Sequence, residues 1–224
     1  MKLRDKDIVE RLYFEEFGQD LLLEVLKDYA KPWDKIARLE KAGIIQRVWP
    51  GWYVTGKAYR RRPLSRFYLA NLLCSPSCVS MESALAHHAL IPEQVHSVTS
   101  VSPNPDRTLE TPLGRFSYRH VPREAFPIGL DLSIPEVGPS FFIATPEKAL
   151  ADRVQAERGL PLRNRQDLEA FLFDALRMEE SSLSGMSPAV LHALAGAYRS
   201  RKLTELAALA ESLSAAGKES GNNA

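Results

Sequence analysis

Between Lys31 and Arg66 the chain places ten cations, namely Lys31, Lys35, Arg38, Lys41, Arg47, Lys57, Arg60, Arg61, Arg62 and Arg66, against two anions, Asp34 and Glu40. That is a local net charge of +8 within a 224-residue chain of net charge +1, so the remainder carries −7. Positive potential gathered on one stretch of an otherwise acidic chain suits a surface that meets phosphates. A solvated linker would explain the charge of YRRRP, residues 59–63, equally well. It does not explain the earlier cations, which are interleaved with apolar residues at helical spacing.

Other chemistry is harder to assemble. His87 and His88 are neighbours on an expected helix, so they diverge by about 100° and cannot both hold one metal as an i, i+4 pair would. His88 could orient the hydroxyl of Ser80 or Ser83, but among alanines and leucines a hydrogen-bonded structural role is the expectation. His96, His120 and His192 are scattered. No H-E-x-x-H, P-loop, G-x-S-x-G or G-x-G-x-x-G run occurs. Glu147 and Asp152 read as helix-start and surface carboxylates. Cys74 and Cys78 are too few for a disulfide framework and lack the second pair of a zinc site, so both are expected as reduced, inert thiols. The expectation is a protein without catalytic residues, metal or cofactor. Trp33, Trp49 and Trp52 could stack on bases, but core packing is the stronger expectation.

The elements that must position the cations follow from periodicity. Leu22, Val25, Leu26 and Tyr29 make the stripe of an amphipathic helix with Asp20 as its cap, and Lys31-Pro32 breaks it. A second helix starts there. Ile36, Leu39 and Trp33 fall on one face, which leaves Lys35, Arg38 and Lys41 for solvent, and Gly43 is placed to end the helix. Two β-prone runs, 44–48 and 52–55, flank Trp49-Pro50-Gly51, which suits a type II turn. This is the order of a winged helix-turn-helix, with Lys35, Arg38 and Lys41 presented to a major groove and Arg47 on the wing beside the backbone.

Beyond the basic linker, LSRFYLANLLC and SMESALAHHALI predict helices, the second capped by Ser80 with Glu82 in its first turn. VHSVTSV, RFSYRHV and SFFIAT predict strands, and TPEKALADRV a helix with Thr145 as cap and Pro146 at its first position. Residues 156–224 look helical, with a start at Ser187-Pro188 and a disordered GKESGNNA tail. The expected class is α+β: a winged helix-turn-helix over 1–62, a mixed α/β domain over 63–155, and a helical part over 156–224. With no apolar run of about 18 residues and a charged start, the chain reads as cytoplasmic and not membrane-bound.

Four blocks in order, KPWDKIARLEKAGIIQRVWPGWYV, LANLLCSPSCVSMESALAHHALIPEQVHSVTSVSP, TPLGRFSYRHVP and FFIATPEKALADRV, resemble the AbiEi family, the antitoxin and regulator of AbiE type IV toxin-antitoxin systems. The resemblance covers residues 20–155. It implies a winged helix that binds inverted repeats of double-stranded DNA in its own promoter, and a larger domain that counteracts a nucleotidyltransferase-like toxin; direct contact with the toxin and a dimer on DNA are left open. Lys31, Asp34, Lys35, Arg38 and Lys41 match the recognition-helix block, and Arg47 and Tyr53 the wing. Ser80, Glu82, Ser83, Ala84 and Leu85 match the block opening the second domain, and Thr145, Glu147, Lys148, Ala149, Leu150 and Asp152 the one closing it. One departure is the wing tip, basic in similar sequences but Trp49-Pro50-Gly51 here, which moves the expected phosphate contacts toward the helix and Arg60, Arg61 and Arg62. The rival readings are a winged helix that docks protein, and an enzyme whose carboxylates do not stand out.

Overall fold

Apolar residues at the two ends of the first 55 positions close on each other to form a small core. A computed structural model of the chain describes residues 4–92, 96–158 and 164–221. Its N-terminal unit runs α1 (Asp5–Arg11), β1 (Glu16–Gly18), α2 (Gln19–Val25), α3 (Pro32–Lys41), β2 (Ile45–Trp49) and β3 (Trp52–Thr55). The three strands form an antiparallel sheet in the order β1-β3-β2. Ile8 from α1, Leu12 just after it, Phe17 from β1, Leu22, Ile36, Leu39 and Tyr53 fill the space between helices and sheet. α3 begins with Pro32 at its first position, where the missing N–H costs nothing. It stops at Gly43, whose φ of +67° is cheap only for glycine. A Cβ on Gly56 would lie 1.8 Å from the Gly43 carbonyl oxygen, so the end of α3 and the end of β3 meet through two glycines.

The remainder is built on a six-stranded mixed sheet in the order β6-β7-β5-β4-β9-β8. Its strands are β4 (Cys78–Val79), β5 (Val98–Ser102), β6 (Arg107–Thr111), β7 (Gly114–His120), β8 (Leu130–Ser133) and β9 (Phe141–Ala144). The helices are α4 (Arg66–Leu73), α5 (Met81–His87), α6 (Pro146–Ala156), α7 (Arg165–Glu169) continuing as a π-helical stretch Ala170–Ala175, α8 (Glu180–Ser184), α9 (Pro188–Tyr198) and α10 (Arg201–Gly221). Phe116, Tyr118, Ile143, Leu150, Leu172, Leu194 and Leu206 are among the residues of one continuous core. The class is α+β, as expected. Both sheet edges carry charge: Arg107 and Glu110 lie on β6, and on β8 the Asp131 carboxylate accepts the Leu132 N–H at 2.8 Å. Such edges resist pairing with another chain.

The expected tail is helical as far as Gly221. Asn222 to Ala224, residues 159–163 and Val95, where the first strand-like run begins, lie outside the described residues. Among the described residues no helix is long and apolar enough to cross a membrane.

The two halves share a wall. Successive side chains of a strand face opposite ways, so Tyr53 enters the small core while Val54, with Val48, belongs to the larger one. Trp49 and Trp52 pack against the larger core as well. The guanidinium of Arg107 lies 5.5 Å from the centre of the Trp49 ring. The hairpin tip therefore rests on the second half, and these two tryptophans are packing residues.

Candidate nucleic-acid interface

On α3, Ile36 and Leu39 turn inward. Helical spacing places Trp33, Ala37 and Lys41 in one outward row at i, i+4 and i+8, and Asp34 and Arg38 in the row beside it. All five are exposed. Trp33, expected in the core, is 54% exposed: it sits in the first turn, rotated out past the edge of the Ile36–Leu39 face. Lys35, expected outside, is 8% exposed. It lies on the other margin of the apolar face, where its ammonium pairs with Asp5 of α1 and sits 5.5 Å above the Tyr29 ring. The stem is buried and the charge is spent within the fold.

The hairpin and linker arginines also have partners within the fold, although Arg47 and Arg61 stay about half exposed. Arg47 pairs with Glu40 at 3.1 Å and lies over the Tyr53 ring. Arg60 donates to the Thr55 carbonyl at 2.8 Å. Arg61 donates from its backbone N and its Nε to Glu15 at 3.0 Å, and from Nη2 to the Leu12 carbonyl at 2.6 Å. Arg62 grips Glu16 through both terminal nitrogens at 2.6 and 3.2 Å, and the Ser65 N–H donates to the same carboxylate. Glu15 and Glu16 are both 1% exposed, and a carboxylate so buried must be paired. Arg61 and Arg62 thus clasp the start of β1 and Arg60 the end of β3, so the three arginines expected at the DNA backbone also hold the fold together. Nothing in the local sequence joins positions 46 residues apart; a Glu-Glu pair directly before the buried Phe17 was the one available sign. Of the eight cations expected at the interface, Lys31, Arg38 and Lys41 are exposed and make no ion pair among the described residues.

The clasp carries a pH dependence. Burial alone would push the Glu15 carboxyl up, but the Arg61 N–H and guanidinium outweigh it and hold it below its ordinary value. A lowered folded value means the contribution to stability is complete above the unfolded value of about 4.3 and is lost as pH falls through the folded one. Urea midpoints of the wild type should therefore drop below about pH 4.3 more steeply than those of Glu15→Gln. Identical acid limbs would show that the pair contributes nothing.

The second half holds a buried polar cluster in place of a hydroxyl nucleophile beside a histidine. Ser80 holds the N-cap position of α5 as expected, but its hydroxyl donates to Asp152 at 2.6 Å and not to the helix. Asp152, expected at the surface, is 3% exposed. It also accepts from the Tyr198 hydroxyl, and Lys148 Nζ stands 3.5 Å away while donating to the Ala125 carbonyl at 3.1 Å. α6 buries this turn because α5, α9 and α10 pack against it. His88 donates from Nε2 to the Ala144 carbonyl at 2.8 Å, and Ser83 donates to the Ser97 carbonyl at 3.2 Å, so neither serine faces the histidine. Thr145 caps α6 as expected, and Glu147 accepts the Ser187 N–H at 3.0 Å.

Burial pushes the Tyr198 phenol up, with the Asp152 charge adding to it, so it remains a donor. Burial does the same to the Cys78 thiol. Both cysteines are free and buried. A cleft of about 540 Å³ opens beside Asp152 and Tyr198, lined also by Met81, whose φ is +52°, and by an Arg119–Asp106 pair at 3.0 Å. Among the described residues no group of three His, Cys, Asp or Glu could hold a metal ion. Compared with protein-family models and with curated proteins, the chain matches none of them.

Proposed function

We propose that this protein is a transcriptional regulator whose N-terminal unit is a winged helix-turn-helix that binds duplex DNA through the outward face of α3. The observation that carries this reading is the contrast along that helix: Lys35 is consumed by the fold, whereas Arg38 and Lys41, with Lys31 just before, are held in the open without partners among the described residues. Positive charge left unneutralised on an ordered helix of 10 residues fits a major groove flanked by phosphates. The element order α1-β1-α2-α3-β2-β3 supports the same reading. The wing here is a brace, docked through Trp49 and Trp52, so the helix carries the contact.

The second half of the proposal rests on the four residue blocks that resemble AbiEi antitoxins. On it, the DNA is the protein's own promoter, its inverted repeats call for a dimer, and residues 63–221 counteract a nucleotidyltransferase-like toxin.

The test of the DNA reading is fluorescence anisotropy on duplex from upstream of the gene at rising salt. Each phosphate neutralised adds about −0.9 to the slope of log K against log salt. With Lys31 and Lys41 on phosphates, the expected slope is about −2 or steeper. A flat response, or no binding at low salt, would leave the protein-docking reading in its place.

A further inference from the structure

The exposed tryptophan of α3 carries a specificity that the cations cannot. We infer that Trp33, with Ala37 one turn later, is a thymine reader: the two present an apolar strip to the C5-methyl groups of the major groove, alongside guanine contact by Arg38. The inference rests on the DNA-binding reading above and adds what the bound sequence must contain.

Trp33 is the second residue of α3 and 54% exposed, although it lies next to a core that could have taken it. Trp49 and Trp52 both pack against the larger core. Trp33 stands apart from them, on the helix that holds the free cations. The i, i+4 spacing puts Ala37 directly above Trp33 in the same row, with Lys41 continuing it, so the row reads apolar, apolar, cationic. Recognition helices touch base edges with their N-terminal residues, and Trp33 is at that end. Of the four bases only thymine offers an apolar group in the major groove, its C5-methyl, and alanine and aromatic side chains are its usual partners. Trp33 follows Pro32 and precedes Asp34, with Lys31 two residues before it, and this mixed apolar and charged setting fits a groove in which methyls alternate with polar edges.

The test uses the full chain and a duplex selected from a random-sequence pool by affinity for it, compared with the same duplex in which every thymine is replaced by uracil. Burying one methyl is worth about fourfold in affinity, so the uracil duplex should bind the wild type about fourfold more weakly per methyl read. In Trp33→Ala the thymine-to-uracil ratio should collapse toward one, and in Trp33→Phe it should persist. Because the side chain is exposed, all three proteins should melt alike, which keeps the comparison free of folding defects. Equal affinity of the wild type for both duplexes overturns the inference while leaving DNA binding intact. A ratio that survives Trp33→Ala assigns the methyls to another residue and overturns it too. If no duplex with salt-dependent affinity emerges from the pool, the DNA-binding reading itself falls, and this inference with it.

Discussion

Alanine at Lys31, Arg38 and Lys41 together should lower affinity for the upstream duplex by at least about 100-fold at physiological salt. Two effects combine. Losing two phosphate contacts makes the log-log salt slope shallower by about 1.8. Losing the Arg38 fork, which matches guanine O6 and N7, removes about 1 to 3 kcal/mol of discrimination. The single variant Arg38→Lys separates them, since a point charge keeps affinity for random duplex but cannot make the bidentate contact. None of the three side chains has an ion pair among the described residues, so circular dichroism and the melting temperature should be unchanged. On the proposed antitoxin reading, the same triple variant should still protect cells co-expressing a nucleotidyltransferase-like toxin, because it leaves the second half untouched, while a promoter reporter is derepressed. A triple variant with unaltered slope and affinity would rule α3 out as the DNA surface. Loss of protection together with loss of repression would mean that the two roles are not separable.

Asp152→Ala should destabilise the second half by about 3 to 5 kcal/mol, the usual cost of removing one partner of a buried ion pair. The substitution strands Lys148, which is 0% exposed and keeps only the Ala125 carbonyl, and orphans the hydroxyls of Ser80 and Tyr198. With a urea dependence of about 1 to 3 kcal/mol per molar, the midpoint should fall by more than about 1 M. Adding Lys148→Met to Asp152→Ala should recover part of the loss, because it removes the stranded charge and refills its volume. A loss below about 1 kcal/mol would mean that the cluster is solvated and not a brace joining β4, α5, α6 and α9.

The sequence by itself determined the local elements around the proposed site. Pro32 and Gly43 bound α3, Pro50-Gly51 turns the hairpin, and Thr145-Pro146 opens α6, because each rests on a backbone preference of the residue itself or its nearest neighbours. It also determined the concentration of charge between 31 and 66. What it could not determine was which charges remain available. Lys35, Arg61 and Arg62 are no different in composition from Lys31, Arg38 and Lys41; they are spent because α1 and β1 bring Asp5, Glu15 and Glu16 to them from 30 and 46 residues away. The two-residue β4 is hidden for the same reason, since its hydrogen bonds lie with β5 and β9; the edge strands β6 and β8 pair with their chain neighbours β7 and β9, but such short runs show little periodicity of their own. Trp33 and Asp152 changed places with respect to expectation. A helical wheel gives the direction in which a side chain points, but tertiary packing decides how far it is covered: Trp33 stays 54% exposed, whereas α5 and α9 close over α6 and Asp152, and only a buried carboxylate requires the donors that Ser80, Tyr198 and Lys148 supply.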